Sequence, residues 1–178
     1  MATGKSTVAR HLARRLRWQL IDCDAEIVAR AGKSIERIFR DAGEAHFRAL
    51  ERAVILEIAA DPRCCAQCGH FRPAVVATGG GAIVDPQNYA ALRDCGVIVC
   101  LTARPEVIAR RVASSAKARP MLSLAGIAVK QRIADLMENR AEAYARATLT
   151  IDTSECNVEQ VVDGIIDALA KNYPMIAH

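Results

Sequence analysis

The sequence predicts an α/β fold of three layers, a parallel sheet with helices on both faces. Three observations predict it. Short apolar runs alternate with amphipathic stretches along the chain, the pattern of repeated strand-helix units. Gly4-Lys5-Ser6-Thr7 stands at the head of one amphipathic stretch. Ala74-Val-Val-Ala-Thr78, apolar without alternation, runs directly into Gly79-Gly80-Gly81, as a strand buried on both faces does when a ligand approaches its end.

Size and composition are consistent with this. A chain of 178 residues reads as a single domain, residues 1–178, able to bury roughly 70% of its unfolded surface. Aromatic residues make up only 4%, which argues against base-stacking platforms and a nucleic-acid partner. The net charge of +4 is spread along the chain and suits small anions. No run approaches the roughly 20 apolar residues of a membrane span, and no basic-then-apolar leader opens the chain. A cytoplasmic protein without a membrane partner is expected. Its seven cysteines read as free thiols in a reducing compartment. Cys64, Cys65, Cys68 and His70 form the one cluster with zinc-ligand chemistry; a solvent-exposed loop insertion between Pro62 and Pro73 is the simpler reading.

Taking the elements in order, Val8, Leu12 and Leu16 fall at i, i+4 and i+8 and predict a helix over 5–16. Its N-terminus carries the second half of a Walker A loop, G-x-x-x-x-G-K-[ST], whose Lys and hydroxyl hold phosphates and Mg²⁺. The first Gly of that pattern and the strand feeding it are expected upstream of Met1. Residues 18–21 predict a buried strand ending at Asp22-Cys23-Asp24. These carboxylates stand where open α/β sheets bind ligands, although Asp24 could equally cap a helix beginning at Ala25.

Helices are expected over 24–31, 34–41 and 44–60, divided by Gly32 and Gly43. Arg48 stands one turn from both Glu44 and Glu51, for which a surface ion-pair ladder is the plain reading. After the 74–78 strand and the glycines come a helix over 87–94, a strand over 96–101 and a helix starting at Pro105. Its flank carries Arg110 and Arg111. Residues about 113–126, containing Arg119-Pro120, are basic and weakly periodic. They read as a lid able to bring an Arg over phosphates, or else as an exposed loop. One long helix over 127–145, a strand over 148–151 and a helix over 158–169 close the fold. Met137 and Tyr144 read as core residues, and the tail from Lys171 as frayed.

In order along the chain, Gly4-Lys5-Ser6-Thr7, Asp22-Cys23-Asp24, Gly32-Lys-Ser34-Ile35 with Ile38-Phe39, Gly43-Glu44 with Phe47-Arg48 and Glu51, Ala77-Thr78-Gly79-Gly80-Gly81-Ala82, Arg119-Pro120-Met-Leu122, and Arg140 with Tyr144 and Ala147 resemble the shikimate kinase family. The resemblance implies a nucleoside-monophosphate-kinase-like P-loop fold of sheet order 2-3-1-4-5. It implies ATP and Mg²⁺ as cofactors and phosphoryl transfer to the 3-hydroxyl of shikimate, a step of chorismate and aromatic amino acid biosynthesis. It places substrate-binding helices at about 32–60. Shikimate would be held by Asp24, Arg48, Gly79, Gly80, Gly81 and Arg140, and nucleotide by Gly4, Lys5, Ser6, Thr7, Arg111 and Arg119. Lys5, Asp24 and Arg119 would serve catalysis, with Ser6 and Asp22 at the metal. A monomer is expected.

Rival readings are another P-loop small-molecule kinase, such as a gluconate-type kinase, a domain that binds ligand without turnover because its Walker A loop is truncated, and a zinc-dependent module. The glycine triple with Arg48 and Arg140 argues against the first.

Overall fold

The computed structural model describes residues 3–61, 73–113 and 127–173. The elements run α1 (Lys5–Leu16), β1 (Gln19–Asp22), α2 (Cys23–Ala31), α3 (Ile35–Ala60), β2 (Ala74–Ala77), a 3₁₀ turn (Ala82–Val84), α4 (Pro86–Cys95), β3 (Val99–Thr102), α5 (Pro105–Ala113), α6 (Ile127–Glu138), α7 (Ala141–Ala145), β4 (Leu149–Asp152) and α8 (Val158–Asn172). The Cys64–His70 cluster and the Arg119 lid lie outside the described residues.

The strands form two parallel pairs. Gln19 to Asp22 lie opposite Ala74 to Ala77, and Val99 to Thr102 lie opposite Leu149 to Asp152. Among the described residues no strand lies between β2 and β3. A cleft of about 270 Å³ separates them, lined by Val75, Val76, Val97, Val99, Leu12 and Leu169, with Lys5 the one charged group among the described residues that line it. The cleft is therefore an apolar feature, and the polar chemistry described below gathers beyond it.

Successive residues of β2 feed opposite faces, as a pleated strand dictates. Val75 packs with Val8 and Leu12 of α1 and Val161, Val162 and Ile165 of α8. Val76 packs with Cys23, Ile27, Phe47, Val54 and Ile55 of α2 and α3. Helices thus cover both faces. At the C-terminal ends of the strands these two layers bring together the first turns of α1 and α2 and the middle of α3.

As expected, Gly43 divides the helical segment before it from the one after it: within 35–60 it alone leaves helical geometry, with φ 78° and ψ 176°. That left-handed value suits a residue without Cβ, and the half of α3 after it carries Arg48 against Gly81. The single helix expected over 127–145 is two, broken at Asn139-Arg140, where Arg140 has φ −114° and ψ 0°. The tail continues in helix through Asn172, and Tyr173 packs against the α1–α8 core. An Asn157–Gln160 capping box starts α8.

Candidate active site

Lys5, Asp22, Asp24 and Arg140 sit at element ends, whereas Arg48 and Glu51 project from the middle of α3. Gly4 takes φ 87° and caps α1, its carbonyl accepting from the N–H groups of Thr7 at 3.0 Å and Val8 at 2.9 Å. The left-handed turn lets the chain enter the helix with Lys5 in the first turn. Asp22, at the end of β1, caps α2, its Oδ1 accepting from the N–H of Asp24 at 3.1 Å and Ala25 at 3.3 Å. Of the two readings open for Asp24, site or cap, the cap falls to Asp22 instead. The carboxyl of Asp24 is thereby left for the site.

Arg48 and Glu51 on α3 are not the surface ladder that their spacing suggests. Glu51 is fully buried, its Oε2 accepting from Arg48 Nη1 at 2.7 Å, while the Arg48 side chain is 26% exposed. Glu44 accepts from Arg48 Nη2 at 3.0 Å, and the guanidinium lies 5.2 Å from the Phe47 ring centroid. Glu51 Oε1 has no hydrogen-bond partner among the described residues.

The glycine triple explains why these groups converge. A Cβ at Gly79 would collide with Glu51 Oε1 and lie 3.5 Å from Asp24 Oδ1. At Gly80 it would lie 3.3 Å from Arg140 Nη1 and 3.6 Å from both Lys5 Nζ and Tyr144 Oη, and at Gly81 2.8 Å from Arg48 Nη2. Three bare positions thus admit three sets of charged side chains. The structure brings together Lys5, Asp24, Arg48, Arg140 and Gly79 to Gly81. Ser6 and Thr7 stand exposed in the first turn of α1 beside them. Arg111 is engaged by Thr153 just past β4, donating to its Oγ1 at 2.9 Å and its carbonyl at 2.6 Å.

Burial raises the pKa of the Asp24 carboxyl above its ordinary range, and Asp22 adds to this while Lys5 and Arg48 oppose it. Burial likewise raises Glu51, opposed by its bond to Arg48. For Arg48 burial works downward, but the carboxylates of Glu51 and Glu44 outweigh it and raise the guanidinium. The Cys23 thiol, buried between Asp22 and Asp24, is pushed up to about 12. It packs in the core as an apolar group.

Two cations, Arg48 and Arg140, therefore face a glycine turn beside a buried carboxylate, with a phosphate-type Lys within reach. Such a site can bind a small hydroxylated carboxylate and present a hydroxyl to a nucleotide. The sequence model of the shikimate kinase family matches residues 1–170. The chain belongs to the shikimate kinase family. It is 38% identical to a shikimate kinase of Caldanaerobacter subterraneus over 96% of this chain and 92% of that protein. A shikimate kinase of Geobacter sulfurreducens is 44% identical over 93% of this chain and 84% of its own length. Among solved structures, the shikimate kinase of Acinetobacter baumannii in complex with shikimate superposes with a TM-score of 0.84 and 32% identity, covering 97% of this chain and 90% of that one. The chain is accordingly a P-loop kinase by fold and an ATP-dependent phosphotransferase, and its family's reaction is the phosphorylation of shikimate.

Glu51 and Tyr144 are the residues whose part in the site their sequence context understated. Glu51 had a signal, since it stands on the apolar face of α3 with Phe47, Val54 and Ile55. A carboxylate on such a face must have a partner. The Tyr144 hydroxyl donates to the Gly80 carbonyl at 2.6 Å, which apolar periodicity alone does not reveal.

Proposed function

We propose that Asp24, Arg48, Arg140 and the Gly79–Gly81 turn hold shikimate while Gly4, Lys5, Ser6 and Thr7 hold the ATP phosphates. The observation that carries this is the meeting of both arginines, Asp24 and Lys5 at the bare glycines. Fork-shaped guanidinium groups pair with a carboxylate in two parallel bonds, which fixes the ring as well as binding it. Asp24 accepts the hydrogen of the 3-hydroxyl. As that oxygen bonds to the γ-phosphorus and the bond to ADP breaks, the hydroxyl proton passes to the Asp24 carboxylate.

The protein's remaining task is alignment and charge neutralisation. The N–H groups and dipole at the start of α1, with Lys5, face the phosphates. Arg119 supplies a further cation from the lid, and Arg111 contacts the adenine. The donor set fits Mg²⁺: Ser6 is exposed at the helix start, and Asp22 uses only Oδ1 in capping, which suits an ion that keeps its waters and phosphate oxygens. When bound, that ion neutralises charge on the β and γ phosphates. The order 2-3-1-4-5 follows if a further strand enters the valine-lined cleft between β2 and β3, and a single cytoplasmic domain acting as a monomer completes the reading.

Calorimetric titration with shikimate tests the site. Arg140→Ala should weaken binding about 10- to 100-fold, the loss of charge-assisted hydrogen bonds of about 1.5–3 kcal/mol. Unchanged affinity would mean that Arg140 does not meet the carboxylate.

A further inference from the structure

Among the described residues, the glycine turn is held by its carbonyls. Gly79 O accepts from the N–H of Ala82 at 3.1 Å and Gly81 O from that of Val84 at 3.1 Å. Ala82 O accepts from Asn88 Nδ2 at 3.1 Å, and Ile83 O accepts from Arg146 Nη2 at 3.1 Å. Gly80 O accepts from the Tyr144 hydroxyl at 2.6 Å. The N–H groups of Gly80 and Gly81 donate to no described acceptor. Arg146 is itself fixed, lying 4.3 Å over the Tyr89 ring while its carbonyl accepts from the Tyr89 hydroxyl at 3.2 Å.

A peptide unit is planar and trans, so its C=O and the following N–H point in opposite directions. A glycine-glycine peptide turns freely unless something holds it. The bond from Tyr144 pulls the Gly80 carbonyl toward α7 and therefore directs the Gly81 N–H away from α7. We propose that Tyr144 is a positioning residue that locks the Gly80–Gly81 peptide with its N–H toward shikimate, an inference that rests on the placement of shikimate given above. The same residue ties the turn to the helix that follows Arg140, so the Gly81 donor and the Arg140 guanidinium are set by one short element. The Tyr144 hydroxyl bonds to the Gly80 carbonyl and not to Lys5, although Lys5 Nζ stands beside the same glycine.

Steady-state kinetics of Tyr144→Phe test it, since that change deletes one hydroxyl and keeps the ring. The shikimate KM should rise about three- to ten-fold, the range for one hydrogen bond, with kcat and the ATP KM within two-fold and the calorimetric Kd for shikimate rising in parallel. Tyr89→Phe, which deletes a hydroxyl one step further from the turn, should leave the shikimate KM unchanged. The proposal is overturned if Tyr144→Phe leaves that KM within two-fold, if it degrades kcat and both KM values together, or if Tyr89→Phe has the same effect. Arg140→Ala in the same assay separates the two levels. A raised KM there without one in Tyr144→Phe removes only the lock, whereas no effect in either removes the shikimate placement and the lock with it.

Discussion

Replacing Gly81 by Ala adds one methyl group where the glycine turn faces the Arg48 guanidinium. The backbone there has φ −105° and ψ −4°, which any residue adopts, so the substitution brings no strain of its own and removes some freedom from the unfolded chain. The added carbon would stand 2.8 Å from Nη2, 2.9 Å from Nη1 and 3.0 Å from Cζ of Arg48. A carbon contact of this kind relaxes to about 3.5 Å or more, so the guanidinium must withdraw by over half an ångström. The end of a long side chain can do so at little cost to folding, but Glu51 and Glu44 will draw it back along α3. A bidentate contact with a carboxylate does not survive that shift. Losing it, at about 1.5–3 kcal/mol for hydrogen bonds to a charged group, corresponds to a shikimate KM raised about 10- to 100-fold. In a coupled ADP-release assay with a parallel thermal melt, the expected result is that rise with the ATP KM unchanged and the melting temperature within a few degrees of the parent. A shikimate KM within two-fold of the parent would refute the assignment of Arg48, and a collapsed melting temperature would refute the claim that only the guanidinium moves.

Lys5→Ala and Arg119→Ala should each lower kcat by at least ten-fold while leaving the calorimetric affinity for shikimate intact. Asp24 must be ionised to accept the substrate proton, so kcat/KM should fall on the acid side at a pH above the ordinary aspartate range. Because its folded pKa is raised, the folded state binds more protons than the unfolded one between the two values, and stability falls as pH rises through that window. Asp24→Asn should therefore be inactive yet melt no lower than the parent at pH 7; a lower melt would contradict the sign. Among the described cysteines, Cys156 is exposed and Cys23 buried. Mass spectrometry after iodoacetamide at pH 8 should find Cys156 alkylated and Cys23 untouched until the chain unfolds.

Where the fold was legible, one physical signal had no competitor. α1 matches its expected span because the 3.6-residue apolar period, the opening glycine and the polar turn after Leu16 agree. The strands are right in place but shifted by one to three residues, since four-residue strands carry little more than one alternation. The break at Arg140 lacks Gly or Pro to announce it. It follows from tertiary contacts: Tyr144 bonds to Gly80 and Arg146 to Ile83, and a straight helix could not serve those bonds and still present Arg140. Asp22 and Asp24 could not be told apart by spacing, because both stand near the start of α2 and only the end of β1 decides which becomes the cap. Family resemblance named Asp24, Arg48 and Arg140; burial of Glu51 and the three close approaches at Gly79 to Gly81 supply the physical reason that those side chains stand together.

The most direct test of that site's identity is ADP release measured with ATP, Mg²⁺ and either shikimate or gluconate, alongside two-dimensional phosphorus-proton NMR of the product. The expected result is release that depends on shikimate and a phosphorus coupled to the proton on carbon 3. Release supported equally by gluconate, or a phosphate on another hydroxyl, would contradict it.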